Sequence, residues 1–352
     1  MTSFTIDAED VPEHVGQNDE IVGIDEFVLH YALWSNAYST RLHQAGIRFD
    51  PDVKTLRIPY GLNYNIQIYN PVAGFFQAVT WIGLIALSEL KFRQGKMTEI
   101  SGKVGSEHIK MFGFATTDSD ITLNMGYSSI CKDNINRTVD DIHKLTHISA
   151  QYNVKSDEAH EGCVTGTRWT KKGEIRESRS IRFIHEYIRR DKAGRGENIL
   201  VLDKQMVDKC HEQNYIVHHR ELFKLRSKLK SNVPMHQIVL GLYLYLLGNQ
   251  VTDINKGRFF PMSYLEKYFQ IVSPKMPKGN TEEERDLYAF QCKHYKKVHT
   301  SFIRDLRLAL DKMKELKLIT GWKAIIDKQK KDPRVKTDFV NLSKATGLQI
   351  WM

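Results

Sequence analysis

The chain has 352 residues, a length that suits two domains of ordinary size. A hydrophobic content of 41% and a charged content of 26% are those of a soluble globular protein, and a net charge of +9 with a pI of about 9.1 points toward a polyanionic partner. Four cysteines, Cys131, Cys163, Cys210 and Cys292, stand far apart without a C-x-x-C pair, which excludes a zinc ribbon and a disulfide framework and suits a reducing cytoplasm.

The first thirty residues are acidic, and residues 1–20 read as a disordered arm. The opening MTSFTIDAED is too polar for a signal peptide. IDEFVLHYALWSNAYSTRL (24–42) reads as helix then loop, and TLRIPYGLNYNIQIYN (55–70) as short strands. Val72–Leu90 is interrupted by Gln77, Thr80, Ser88 and Glu89, so Phe75–Lys91 reads as a buried core helix ended by Gly95, not a membrane span. Residues 96–120 read as a connection with short β-like pieces.

A compact pattern comes next. ITLN (121–124) reads as a strand and GYSSIC (126–131) as a short helix. DNINRTVDDIHKLTHI (133–148) has Asp133 as N-cap and Ile135, Val139, Ile142 and Leu145 at helical spacing. The runs 148–153, 163–170, 178–188 and 197–203 complete a sheet, with turns at Lys172-Gly173 and 193–196. Residues 214–230 link to a second half. There Pro234 opens an apolar helix over 235–249, GRFFPMSYLEKYF (257–269) is strand then helix, and 273–286 is a polar insertion. From about Lys293, HYKKVHTSFIRDLRLALDKMKELKLI forms a basic helix, and TGWKAIIDKQKKDPRVKTDFVNL a basic hairpin ending near Val340. His299, Phe302, Ile303, Leu306, Leu310 and Met313 share one side of that helix, while Lys293, Lys297, Thr300, Arg304 and Arg307 share another. Apolar helix, short strand, short helix, longer helix and hairpin occur in this order twice, over 71–203 and 234–342. That is the order of a winged-helix DNA reader, and the expected class is α+β with two tandem winged-helix domains.

Several chemistries lack their residues. There is no G-x-x-x-x-G-K-[ST] loop and no H-E-x-x-H, and the fourteen histidines show no metal-ligand spacing, so no cofactor, no metal and no catalytic residue is expected. A rolling-circle nickase using Tyr152 near Lys155 is a distant alternative, because His218-His219 lacks the intervening apolar residue. For DNA the candidates fall in three groups. Asn134, Asn136 and Arg137 open the first longer helix and suit adenine and guanine edges, or equally a capped polar helix start, with Asp140 and Asp141 behind them repelling phosphate. In the second helix Lys293, Lys296 and Lys297 suit phosphate, while Thr300, Arg304 and Arg307 suit bases. Lys328, Lys330, Lys331, Arg334 and Lys336 crowd the wing tip, where phosphate contact is expected.

The chain resembles theta-type plasmid replication initiators of the TrfA and RepA group. The resemblance rests on ALWSNA (32–37), ITLNMGYSSICKDNINRTVDDIHKLTHISAQY (121–152), RFIHEYIRRDKAGRGENILVLDKQMVDKC (182–210), YIVHHRELFKLRSKLKSNVPMHQIVLGLYLYLLGN (215–249) and FIRDLRLALDKMKELKLITGW (302–322), in the family's order. It implies two winged-helix domains that bind direct repeats (iterons) at a plasmid origin and help melt an AT-rich segment. Host initiator, helicase or sliding-clamp components are the implied partners. The resemblance also implies homodimers through the first domain that are typically inactive in initiation, and a protein that itself makes and breaks no covalent bond. The domains are then an acidic arm (1–20), a first domain (21–213), a linker (214–233) and a second domain (234–352), in a cytoplasmic protein. A transcriptional regulator built on the same domains is the alternative.

Overall fold

The computed structural model describes residues 21–23, 34–47, 64–69, 74–104, 107–125, 127, 129–146, 149–155, 167–171, 174–192, 195–204, 207, 216–248, 257–277, 279, 281–326, 342 and 345–352. It is of mixed α+β class and divides into two compact units: residues 1–29 with 50–229, and residues 30–49 with 230–352. This partition differs from a cut at 213/214 with a linker after it. Residues 216–229 belong to the first unit, and residues 30–49 to the second.

The first unit holds β1 (Ile21–Gly23), β2 (Tyr64–Tyr69), α2 (Phe75–Arg93), β3 (Met97–Val104), β4 (Glu107–Thr117), α3 (Asp118–Asn124), α4 (Lys132–Thr146), β5 (Ser149–Lys155), β6 (Thr167–Lys171), β7 (Glu174–Arg182), β8 (Ile184–Lys192), β9 (Arg195–Asp203), β10 (Ile216–His218) and α5 (His219–Lys228). The number α1 belongs to Ala37–Gln44, which folds with the second unit. All strand pairs are antiparallel. One sheet runs β3-β4-β9-β8, a second β2-β5-β7-β6, and β1 pairs with β10. Helix, strand, two helices and hairpin thus appear as α2, β4, α3, α4, β8 and β9, with β9 between its two partners. The second sheet is inserted between α4 and β8 and takes β2 from earlier in the chain.

α2 is the core of this unit. Trp81, Ile82, Leu84, Ile85 and Leu87 are fully buried, and Trp81 stacks on Phe183, between β7 and β8, at 4.8 Å. Among the described residues it is the one helix long and apolar enough to cross a membrane, and most of it lies inside the fold. At Gly83 a Cβ would lie 2.5 Å from the Met125 sulfur and 3.0 Å from Phe223, so the absent side chain lets both pack against the helix. Gly95, at φ +63°, stops it in the left-handed conformation.

Several local expectations are corrected. ITLN is not a strand: Thr117 accepts from the Asp120 amide, Asp118 and Asp120 fill the first turn, and the segment is helical. Residues 127 and 129–131 are not helical, and Asp133 lies inside α4, not at its cap. The connection at 96–120 is a long hairpin, and in the described part of 24–42 a loop precedes the helix. The run 178–188 breaks at Phe183 into strands of two sheets. The run 197–203 falls on β9, which lies between β4 and β8. Ile184, on edge strand β8, is fully buried and belongs to the core.

Two buried charges in α2 and α4 receive different treatment. Asp141 faces the interior, where it accepts from Gln77 Nε2 at 2.5 Å, from Thr80 Oγ1 at 3.0 Å and from the Arg226 guanidinium of α5. It therefore does not face phosphate. Glu89 is 4% exposed, and burial pushes its carboxyl from 4.5 up to about 7, against the pull of Arg93. A raised folded-state pKa favours the fold while the group is protonated. That contribution is complete below pH 4.5 and is lost as the pH rises through about 7. Glu89→Gln is accordingly expected to stabilise the first unit at pH 8 by on the order of 3 kcal/mol, and by much less at pH 5. Chemical denaturation at both pH values checks this, and an equal effect at both would mean that water reaches the carboxyl.

The second unit comprises α1 (Ala37–Gln44), α6 (Pro234–Gly248), β11 (Arg258–Pro261), α7 (Met262–Tyr268), α8 (Glu282–Glu315), β12 (Gly321–Ile325) and β13 (Gly347–Trp351). The three-stranded sheet runs β11-β13-β12, all antiparallel. With α6, α7 and α8 this gives the winged-helix order, β13 being the returning strand of the wing between β11 and β12. Among the described residues the strand paired with β12 is GLQIW, and the stretch expected to return near Val340 lies outside them. Ile238, Val239, Leu240, Leu242, Leu244 and Leu246 of α6 are fully buried and pack against Phe302, Leu306, Ala309, Leu310 and Met313 in the core of this unit.

Candidate nucleic-acid interface

α8 has 34 residues, about 51 Å of helix at 1.5 Å per residue. It starts well before Lys293. Thr281 caps it, accepting from the Glu284 amide while the Glu284 carboxylate accepts from the Thr281 amide, and Glu282, Glu283 and Glu284 suit the positive end of the helix dipole. Lys293 thus lies three turns inside the helix, not at its start.

The buried residues of α8 run from Val298 to Met313, where the helix packs on α6 and α1. Opposite this face Lys293, Lys296, Lys297, Thr300, Arg304 and Arg307 are all exposed, within a stripe about 100° wide on a wheel of 100° per residue. The stripe is placed by interactions on the helix's other sides. His299 Nε2 and Glu266 Oε1 of α7 are 2.7 Å apart, Gln291 Nε2 donates to the Ala45 carbonyl, and the Tyr38 ring meets Phe302 edge-on at 5.6 Å.

Arg304 carries a more specific arrangement. Its Nε donates to Asp305 Oδ1 at 2.8 Å, and the other Asp305 oxygen accepts from the Tyr38 hydroxyl of α1. Burial, then the bond to Asp305, pushes the Tyr38 phenol far above its ordinary value, so it stays a proton donor. Asp305 is buried while Arg304 reaches solvent. The guanidinium is therefore held at Nε on a side chain that is 70% exposed, and the paired donors of an arginine suit the O6 and N7 of guanine. α1 is itself fixed: Asn36 caps it and donates to the Phe269 carbonyl at 2.7 Å, and the Ala37 amide donates to Gln237 at 2.8 Å. Nothing in the sequence links Tyr38 or Asp305 to the basic face, for their bond spans 267 positions.

In the first unit, Asn134 of α4 is half-buried and donates to the Ser129 carbonyl at 3.0 Å, so its amide latches the preceding loop. Asn136 and Arg137 are exposed. These three belong to the first unit, and the α8 stripe to the second. The wing-tip residues Lys328, Lys330, Lys331, Arg334 and Lys336 fall outside the described residues, as does the side chain of Tyr152 on β5. Among the described residues no three His, Cys, Asp or Glu side chains gather as a metal site.

No protein-family model matches the chain, and no curated sequence matches it. Among solved structures it is similar to a selenomethionine crystal structure of domains 2 and 3 of RctB, at 15% identity and a TM-score of 0.45, over 84% of this chain and 89% of that one. A second structure of RctB domains 2–3 matches at 12% identity and a TM-score of 0.28, over 60% of this chain and 77% of that one.

Proposed function

We propose that the chain is a sequence-specific double-stranded DNA-binding protein that initiates plasmid replication. In this reading it binds origin repeats through α8 and promotes opening of the adjacent duplex, in the cytoplasm, without covalent chemistry of its own. The observation that carries the DNA reading is the exposed face of α8: five cations and a threonine in one stripe on the longest helix of a unit with the winged-helix order, with Arg304 held at Nε by Asp305. The replication reading comes from the resemblance to theta-type plasmid initiators, which also supplies the proposed host partners: initiator, helicase and sliding clamp. A transcriptional regulator would use the same face, so the two differ in whether the bound duplex is then opened.

Footprinting on DNA flanking the gene tests the reading. Protection of tandem repeats about 20 bp apart, two helical turns, together with permanganate reactivity in a neighbouring AT-rich stretch, is the expected result. Protection without melting would favour the regulator. The backbone contribution has its own measurement. With Lys293, Lys296 and Lys297 all changed to alanine, specific and non-specific affinity should fall together. The slope of log affinity against log salt should drop by about 2.7, which is 0.9 for each of three phosphates. An unchanged slope would place these lysines away from DNA.

A further inference from the structure

The first four turns of α8 carry a pattern that DNA binding does not require. No residue from Glu282 to Lys297 is buried, yet Leu287 and Phe290 stand in solvent, 56% and 57% exposed. Glu283, Leu287, Phe290, His294 and Lys297 are spaced alternately four and three apart, the spacing of a seam that faces a second helix. The Phe290 ring stacks along His294 at 6.2 Å, which extends the apolar strip by a turn. The charges at its two ends are opposite: Glu283 and Asp286 before the apolar residues, Lys293 and Lys297 after them, all exposed.

Those charges select the occupant. A second copy of the helix laid parallel would set Glu283 on Glu283 and Lys297 on Lys297. Turned end for end about Phe290, it sets Glu283 against Lys297 and Asp286 against Lys293 and His294 at each end, with Phe290 and Leu287 of both copies between. A polyanion would match only the basic end and would leave Leu287 and Phe290 uncovered. We propose that this seam pairs two copies of the chain through antiparallel α8 helices crossing at Phe290. If the DNA reading of the preceding subsection holds, the pairing also covers Lys293 and Lys297, so the paired chain and DNA compete for one surface.

The test is sedimentation of the full chain without DNA over a range of concentrations. A monomer–dimer equilibrium is expected, weakened about tenfold by Phe290→Ser, a substitution at an exposed position. Glu283→Lys alone and Lys297→Glu alone should each weaken it, and the two together in one chain should restore it. A monomer at every concentration overturns the proposal. So does a dimer indifferent to Phe290→Ser, which would lie on another face, and a double reversal that fails to restore pairing overturns the antiparallel register. Adding a non-specific DNA duplex separates the two readings. Release of monomer supports competition, binding of DNA by the intact dimer overturns it, and failure to bind DNA at all refutes the proposed function while leaving the dimer result standing.

Discussion

Replacing Arg226 by methionine is expected to cost the first unit about 3–5 kcal/mol, because it leaves the Asp141 carboxylate buried with no opposing charge. The two remaining donors, Gln77 Nε2 and Thr80 Oγ1, are neutral. Neither offsets the desolvation of a carboxylate as a guanidinium does. The second half of the test is the double change, Asp141→Leu with Arg226→Met, which removes both charges and should recover most of the loss. Amide hydrogen exchange along α2, α4 and α5 reads the effect in the unit concerned, whatever the second unit does. A silent Arg226→Met would mean that the two neutral donors suffice. A double change no better than the single one would mean that the guanidinium acts through packing on the Tyr127 ring, 5.1 Å away, and not through charge.

The other large effect concerns discrimination between bases. Arg304→Ala should relax the preference at one position of the site by about 1–3 kcal/mol, a factor of roughly 5 to 150, while non-specific binding changes little. Lys293→Ala should weaken every sequence about equally. The arrangement behind Arg304 predicts more. Asp305→Asn keeps the shape but loses the charge that holds Nε, and Tyr38→Phe keeps the ring against Phe302 but loses the hydroxyl. Each should remove part of the same discrimination, and neither should add to the loss once Arg304 is alanine. A competition assay over single-base variants of the repeat measures all of these. If Arg304→Ala lowers every affinity by one factor, it is a phosphate clamp. If it changes nothing, α8 does not enter the groove.

The features legible in the residues are mostly local. α6 begins at Pro234 as expected, and β11 and α7 fall inside 257–269, because in each case the start signal and the apolar spacing agree. The cationic face of α8 is visible as periodicity. Its true beginning is hidden by Pro274, Pro277 and Gly279, although Thr281 and Glu284 stand three apart as a capping box requires. ITLN misleads because Ile and Thr favour strands, and a seven-residue helix has too few positions to show its period. The strands of the inserted sheet are legible as strands, but their separation from the sheet of β8 and β9 is not, because they pair across long stretches: β2 with β5, and β5 with β7. The Tyr38–Asp305 bond is beyond reach for the same reason, since no spacing rule joins positions 267 apart.

The two-part make-up of the second unit sets an order on its completion. α1 emerges from the ribosome early, with Trp34 and Tyr38 destined for full burial, but α6, α7 and α8 that cover them come only after residues 50–229. The bulk of the first unit is therefore synthesised in the gap, before the helices that cover α1 exist. A shortened chain starting at Pro234 would possess every helix and strand of the winged-helix order and still lack a wall: the Phe269 carbonyl, the Gln237 side chain and the Asp305 carboxylate would each lose the partner that α1 and its cap supply. The compact unit that contains the basic helix is thus not the contiguous C-terminal third but a spliced one, with 30–49 joined to 230–352.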